Sequence, residues 1–243
     1  MVDFRFSEVR PFKKLTGGFA KSVGRNSQGR ITTRHKGGGV KRLWREIDFD
    51  YDKKDIPGRV ETVEYDPNRT SFIARVLYRD GERRYVLLPQ GVGVGSTFIV
   101  SEKAPVEPGN RLPLKNTPVG TNVFNVELSP GGGAKLVRSA GSSAQVLATE
   151  GKFTQLKMPS GEIRMVPSSG WATVGALSNP EQRFMTFGKA GRMRRLGVRP
   201  TVRGAAMNPR EHPYGGGEGR QPRGVRHPKT MWGKITGGVK TRR

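Results

Sequence analysis

The densest run of chemically capable side chains is Gly188-Lys189-Ala190-Gly191-Arg192-Met193-Arg194-Arg195-Leu196-Gly197-Val198-Arg199-Pro200. Arginine suits phosphate because its planar guanidinium donates two parallel hydrogen bonds to one oxyanion. The interleaved glycines permit close backbone approach, which a plain solvated lysine tract does not offer. Downstream, residues 204–220 read Gly-Ala-Ala-Met-Asn-Pro-Arg-Glu-His-Pro-Tyr-Gly-Gly-Gly-Glu-Gly-Arg. Such a glycine run can turn successive N–H groups onto a phosphate, which makes Gly215, Gly216 and Gly217 candidate anion contacts. It is not a Walker A loop, because no Gly-Lys-Ser/Thr follows, and it lacks the strand-then-helix setting of a dinucleotide fingerprint. Glu211-His212 has the residue types for acid–base work, since histidine titrates near neutral pH. No nucleophile or orienting third group stands beside it, so His212 reads as a structural or nucleic-acid-contacting residue. His227-Pro228-Lys229-Thr230-Met231-Trp232 sets cations beside an aromatic ring that either stacks on a base or packs on protein.

These residues sit where the charge sits. The formal net charge of the 243-residue chain is +24. Residues 1–45 carry 12 Lys/Arg against 2 acids, a net of +10, and residues 189–243 carry 15 against 2, a net of +13. The centre, 46–188, carries 17 against 16 and is nearly balanced. A balanced centre between two basic, glycine-rich arms points to a folded core with arms that neutralise a polyanion, nucleic acid first of all. In the N-terminal arm the informative stretch is Gly24 to Gly39, with Arg25, Arg30, Arg34 and Lys36 as phosphate contacts. Arg192, Arg194, Arg195, Arg199 and Arg203 rank ahead of them.

Several classes are excluded or disfavoured. There are no cysteines, hence no disulfides and no Cys-based zinc site. His35, His212 and His227 lack metal-ligand spacing, so no protein-bound metal and no cofactor are expected, only magnesium carried by RNA. No apolar run approaches the roughly 20 residues of a membrane span, and the basic N-terminus lacks the apolar segment of a secretion signal. Asp3 and Glu8 argue against a mitochondrial presequence. Gly- and Pro-rich arms cannot hold the long amphipathic helix that membrane-surface binding needs.

The elements that must position the arms are short β runs. Val60–Tyr65, Phe72–Tyr78, Tyr85–Leu88 and Thr97–Val100 are separated by turn residues, with Asp80-Gly81 as a hairpin signal. This predicts one small barrel, with Tyr65, Phe72, Tyr78 and Tyr85 in its core or on its surface rather than as base-stacking platforms. The prolines of 104–118 read as a connector. Val123–Leu128, Gln145–Ala148, Phe153–Lys157, Ile163–Val166 and Trp171–Val174 predict a second, SH3-like barrel. Ser178-Asn179-Pro180-Glu181 reads as a capping box opening a short helix through about Phe187. The expected organisation is 1–45 arm, 46–108 barrel, 109–188 barrel with helix, and 189–243 arm, in a mostly β protein.

Gly24-Arg25-Asn26, Gly29 to His35, Glu64 to Arg69, Asp80 to Tyr85, Arg138 to Gly141, Gly197 to Gly204 and Met207 to Arg220 stand in order, and together they resemble the ribosomal protein L2 family of the large subunit. The resemblance runs from about Gly24 to the end. It implies an OB-like barrel followed by an SH3-like barrel, with both arms threaded into large-subunit ribosomal RNA. It extends the RNA contacts to His35, Arg42, Arg69, Arg83, Arg84, Lys189, Asn208, His212, Arg220, His227, Lys229 and Trp232. It implies neighbouring ribosomal proteins, the small subunit across an intersubunit bridge, and nearby tRNA as partners. It also implies support of assembly and tRNA binding, and places His212 near the peptidyl-transferase centre without making the protein an enzyme. Position 214 is Tyr where the bacterial pattern has His, which removes a second titrating group. Residues 1–23 do not match clearly. The pattern is bacterial-type, which fits a bacterial cytoplasm or a mitochondrial matrix, and ends shorter than those of typical bacterial members tilt it toward an organelle or a reduced genome. Two rivals are a nonspecific nucleic-acid-compacting protein and a His-dependent acyl-transfer enzyme.

Overall fold

Alternating apolar and polar residues between turn signals specify half-buried strands. The computed structural model, which describes residues 10–18, 20–217 and 224–237, forms them in that order. The strands are β1 (Thr16–Gly17), β2 (Trp44–Arg45), β3 (Gly58–Glu64), β4 (Ile73–Tyr78), β5 (Arg83–Leu87), β6 (Thr97–Phe98), β7 (Arg111–Pro113), β8 (Asn122–Phe124), β9 (Val126–Glu127), β10 (Ala134–Leu136), β11 (Ala144–Glu150), β12 (Phe153–Lys157), β13 (Ile163–Pro167) and β14 (Trp171–Val174). One seven-residue helix, α1 (Ala190–Leu196), follows them. The protein is mostly β, an OB-like barrel followed by an SH3-like barrel.

The first barrel is built on the antiparallel order β5-β4-β3-β6. Its β4–β5 hairpin turns at Asp80-Gly81, where Gly81 takes φ 85° and its N–H donates to the Tyr78 carbonyl at 3.0 Å. A register shift between Val60 and Thr62 bends β3, and single bridges from Ile47 to Tyr85 and from Val100 to Arg111 extend the wall. Val60, Val76, Tyr78, Val86, Leu88 and Phe98 fill the interior, with Tyr78 edge-on to Phe98 at 6.3 Å. The second barrel is built on the order β13-β12-β11-β8-β14-β7 around Leu114, Val123, Val146, Leu156 and Val166. A third cluster, Ile73, Tyr85, Leu87, Phe124 and Leu177, draws side chains from both barrels. Of the four aromatics expected in the barrel core or on its surface, Tyr78 and Tyr85 are core, Phe72 is half-buried and Tyr65 is exposed. Burial pushes the Tyr85 hydroxyl up to about 12, and it donates to Glu64 Oε2 at 2.7 Å.

Three expectations are corrected here. Residues 104–118 are not a bare connector: β7 and a short 3₁₀ turn, Leu114–Asn116, lie inside them, with Leu112 and Leu114 buried. Pro113 is tolerated because β7 is the edge of its sheet. The run Val123–Leu128 is not one strand, since Asn125 takes φ 50° between β8 and β9. The capping box does not form. Asn179 is left-handed and caps nothing, Ser178 Oγ instead accepts the Phe72 N–H at 3.1 Å, and only a 3₁₀ turn spans Pro180–Phe184.

By compactness the chain falls into two units. Residues up to 20 and 41–186 form the first, which contains both barrels; residues 21–40 and 187 onward form the second. The N-terminal arm is therefore divided: β1 pairs with β2 in the first unit, and 21–40 belong with the C-terminal stretch.

Candidate nucleic-acid interface

The second unit begins with a loop held by its own backbone. Arg25 and Ile31 pair as an antiparallel bridge, and Asn26 Oδ1 accepts the N–H groups of Gln28 and Arg30 at 3.1 and 2.9 Å. The Gly24 carbonyl accepts from Thr32 and Thr33 at 2.9 and 3.0 Å. A Cβ on Gly24 would lie 2.1 Å from the Thr33 carbonyl oxygen at φ 77°, so glycine is required there. The loop carries Arg25, Arg30 and Arg34 on exposed backbone, and Arg25 also donates to the Gly29 carbonyl at 2.8 Å.

The stretch after it runs against the end of α1. Gly37 N–H donates to the Gly197 carbonyl, Val40 N–H to the Arg195 carbonyl and Arg199 N–H to the His35 carbonyl, each at 2.9 Å. Lys36 and Val198 form an antiparallel bridge. A Cβ on Gly39 would approach the Arg195 carbonyl oxygen and the Gly197 nitrogen to 2.9 Å, which explains a glycine at that position. Helix α1 stops at Gly197, φ 92°, whose N–H caps the last turn, and Arg194 and Arg195 stand in that turn where the helix dipole favours cations. The two basic stretches singled out in the sequence are thus brought together where 35–40 run along 195–199. Within them Arg194 is only half-exposed, and its Nη1 is buried without a hydrogen-bond partner among the described residues. Arg192, Arg195, Arg199, Arg203, Lys36 and Lys189 are exposed, and His35 is half-buried with φ 62°.

The glycine loop differs from expectation. Gly215 N–H donates to the His212 carbonyl at 2.8 Å, and Gly216 N–H to the Met207 carbonyl at 3.1 Å. These two donors are spent inside the loop, so the loop does not offer three free N–H groups in a row as a phosphate nest. The glycines serve packing instead: a Cβ on Gly215 would lie 2.1 Å from the Asn208 carbonyl oxygen, and one on Gly204 would meet the His212 ring at 2.6 Å. Gly217 is exposed with φ 68°, and Arg220 lies outside the described residues. His212 Nδ1 accepts the Tyr214 N–H at 3.1 Å, and the two rings sit 4.6 Å apart. Tyr214 Oη accepts from the Lys229 N–H, tying the loop to a small hairpin. In that hairpin Lys229 bridges Ile235, with His227 and Lys229 on its first limb. Trp232 projects at the turn, 71% exposed. The Arg34 guanidinium lies 5.6 Å from its ring centre and donates to Met231 Sδ at 3.0 Å.

The barrel cations behave differently. Arg83 donates to both oxygens of Glu61 at 3.0 and 3.1 Å. Arg84 meets Asp48, Asp52 and Glu82, and Arg69 meets the buried Asp66. Arg42 donates to the Pro67 carbonyl at 2.8 Å. The Arg84 guanidinium holds the Asp52 carboxyl below its ordinary value, and Arg83 with Arg75 does the same for Glu61. The deepest pair, Arg111 to Glu127 at 2.8 Å, is a core feature, with Arg111 also donating to the Asn125 carbonyl and lying 4.4 Å over the Tyr51 ring. Arg69, Arg83 and Arg84, read as RNA contacts, are therefore bound to carboxylates of their own barrel and belong to the first unit.

In the second unit the described stretches 21–40, 187–217 and 224–237 hold fifteen Lys and Arg against one acid, Glu211. Among the described residues no cation of this unit pairs with a carboxylate. Lys21, Arg210, Arg226 and Lys234 also belong to this exposed set, and no sequence signal marks them, because each stands apart from a dense run. Among the described residues no helix is long and apolar enough to cross a membrane.

Comparison with known proteins accounts for both parts. Residues 12–101 match the family model "Ribosomal Proteins L2, RNA binding N-terminal domain", and residues 107–233 match "Ribosomal Proteins L2, C-terminal domain". The large ribosomal subunit protein uL2 of Roseobacter denitrificans is 53% identical over 233 residues, covering 96% of this chain and 83% of that protein. Those of Hyphomonas neptunium and Cereibacter sphaeroides are each 55% identical, over 96% of this chain and 84% of theirs. The chain belongs to the ribosomal protein L2 family.

Proposed function

We propose that this chain is a structural constituent of the large ribosomal subunit, with its second unit laid against ribosomal RNA and its barrels as the folded support. The observation that carries this reading is the contrast in pairing. Five arginines of the barrel unit, Arg69, Arg75, Arg83, Arg84 and Arg111, pair with Asp or Glu, whereas fifteen cations of the second unit have one acid among them and no carboxylate partner within the described residues. Such a surface costs self-repulsion when free and loses it when phosphates replace condensed counterions. Arg25, Arg30, Arg34, Lys36, Arg192, Arg195, Arg199 and Arg203 are the foremost phosphate contacts, with Lys189, His227 and Lys229 beside them. Arg194 brings a buried, unpartnered Nη1 to the same surface.

The loop around His212 is the segment that approaches the peptidyl-transferase centre, in support of tRNA binding and subunit association. His212 holds the loop rather than moving protons for a reaction. Its Nδ1 is engaged by the Tyr214 N–H, and its ring fills the space above Gly204. RNA carries the chemistry, and the protein is not an enzyme. Neighbouring ribosomal proteins and the small subunit are the remaining partners.

Cosedimentation of the tagged chain with ribosomal subunits, before and after a high-salt wash, tests the reading. Retention on the large subunit is expected. Absence from it, with retention on bulk DNA, would establish a nonspecific compacting protein instead.

A further inference from the structure

Glu211 is out of place. Among the described residues of its unit it is the one acid against fifteen cations, yet it pairs with none of them. It lines an open, solvent-facing cavity of about 640 Å³ with Val202, Met207, Asn208, Met231 and Trp232. One carboxylate oxygen, Oε2, accepts the Asn208 N–H at 3.2 Å, which orients the group; Oε1 has no hydrogen-bond partner among the described residues. The cavity walls are thioethers, an aliphatic side chain and an indole, a lining that suits a flat aromatic guest. Arg210 stands at the same cavity and supplies a cation for the guest's phosphate. Arg34 is not part of the lining, but it holds two lining side chains, with its guanidinium over the Trp232 ring and a donated hydrogen bond to Met231.

We propose that this cavity holds one extruded guanosine of the ribosomal RNA, stacked on Trp232 and read by Glu211. The inference rests on the RNA-binding role argued above and specifies a nucleotide for it. A carboxylate accepts hydrogen bonds and donates none. Guanine alone among the four bases presents two adjacent donors, N1–H and N2–H, on its Watson–Crick edge. Adenine and cytosine set a ring-nitrogen acceptor against the carboxylate, and uracil flanks its single N–H with two carbonyl oxygens. Recognition of splayed-out bases by stacking and by that edge is the usual mode for single-stranded RNA.

The test is chemical probing of large subunits assembled with the full-length chain. Kethoxal reacts with the N1/N2 edge of unpaired guanine. Subunits containing the wild-type chain are expected to show at least one unpaired guanosine protected several-fold relative to subunits lacking it. Glu211→Gln, which keeps one acceptor but sets an amide donor against the other guanine N–H, is expected to restore that guanosine's reactivity, whereas Trp232→Phe keeps most of the protection. Protection that survives Glu211→Gln, or no guanosine protected in wild-type subunits that contain the chain, overturns the proposal. If Glu211→Gln fails to enter the particle, ultraviolet crosslinking of wild-type subunits decides the matter: a Trp232 adduct on guanosine supports the proposal, and one on another nucleotide overturns it. Absence of the wild-type chain from the large subunit would be a failure of the ribosomal reading itself, and sedimentation separates that outcome from the others.

Discussion

Arg84 and Arg195 carry the same guanidinium into opposite surroundings. Arg84 sits among Asp48, Asp52 and Glu82, which hold its pKa above the ordinary arginine value and leave it little capacity for another anion. Arg195 is exposed in the last turn of α1 with no carboxylate partner among the described residues. Substituting Arg195, Arg199 and Arg203 by Glu is expected to weaken binding to ribosomal RNA. It should also flatten the salt dependence of log K by roughly 0.7 for each phosphate that is no longer neutralised. Arg84→Ala should leave that slope unchanged and instead lower barrel stability by on the order of 1 kcal/mol. Filter binding across a salt series, with urea unfolding of the same proteins, separates the two roles; equal slopes for both variants would overturn the assignment. Residue type alone does not separate them in the sequence, because their partners are distant along the chain: Glu61 reaches Arg83 only once β3, β4 and β5 are in register, and Asp48 reaches Arg84 only through the bridge from Ile47 to Tyr85.

Those three strands gather acids and bases on one surface of the first barrel. Glu61 on β3 accepts from Arg75 on β4 and Arg83 on β5, and Lys53 meets Asp80 and Glu82 at the hairpin. Asp52, Glu61, Asp80 and Glu82 all have their carboxyls held below ordinary values, hydrogen bonds from Arg or Lys being the largest cause in each. A carboxylate with a depressed folded-state pKa stabilises the fold above its unfolded pKa, and that stability is lost as pH falls through the folded value. The barrel is therefore expected to be insensitive to pH near neutrality and to lose stability progressively on acidification below about 4.5, the ordinary glutamate value. Urea midpoints measured from neutral to strongly acidic pH check this, and Glu61→Gln should make the fall shallower. The Asp80-Gly81 hairpin is legible because its signal is local: two apolar runs and a turn dipeptide. Strand β7 is not, because Pro113 and the prolines around it look like breakers until the sheet order places Arg111–Pro113 at an edge. The capping box fails for a related reason, since Ser178 finds its partner at Phe72, a contact that only tertiary structure creates.

At the scale of the molecule, the buried apolar clusters lie in the first unit, built from residues between Tyr51 and Leu177. The described part of the second unit is held by turns, bridges and glycine contacts. Backbone with few buried apolar neighbours opens at low free-energy cost. Amide hydrogen exchange of the RNA-free protein should thus show slow exchange in β3, β4, β11 and β12 and fast exchange through 21–40 and 187–217. Binding to ribosomal RNA should slow the second set by at least tenfold, and unchanged exchange there would argue against an ordered arm–RNA contact. The sequence makes the charge separation plain, because it needs only counting. It does not disclose that the two basic stretches meet, since the bridge from Lys36 to Val198 depends on backbone geometry at Gly37, Gly39 and Gly197 that no local pattern announces.

That bridge also fixes an order in time. Residues 21–40 leave the synthesising ribosome before the barrels, and their partner strip, 195–199, is made only after residues 41–186 are complete. A chain emerging at about 5–20 residues per second passes roughly 8–30 seconds in that condition. During that interval the loop of Arg25, Arg30 and Arg34 lacks the backbone contacts that later flank it, and by its end both barrels have their full sequence available to fold. The second unit is the last part of the protein to be assembled, and a released chain truncated after residue 188 would carry complete barrel sequences with 21–40 still unpaired.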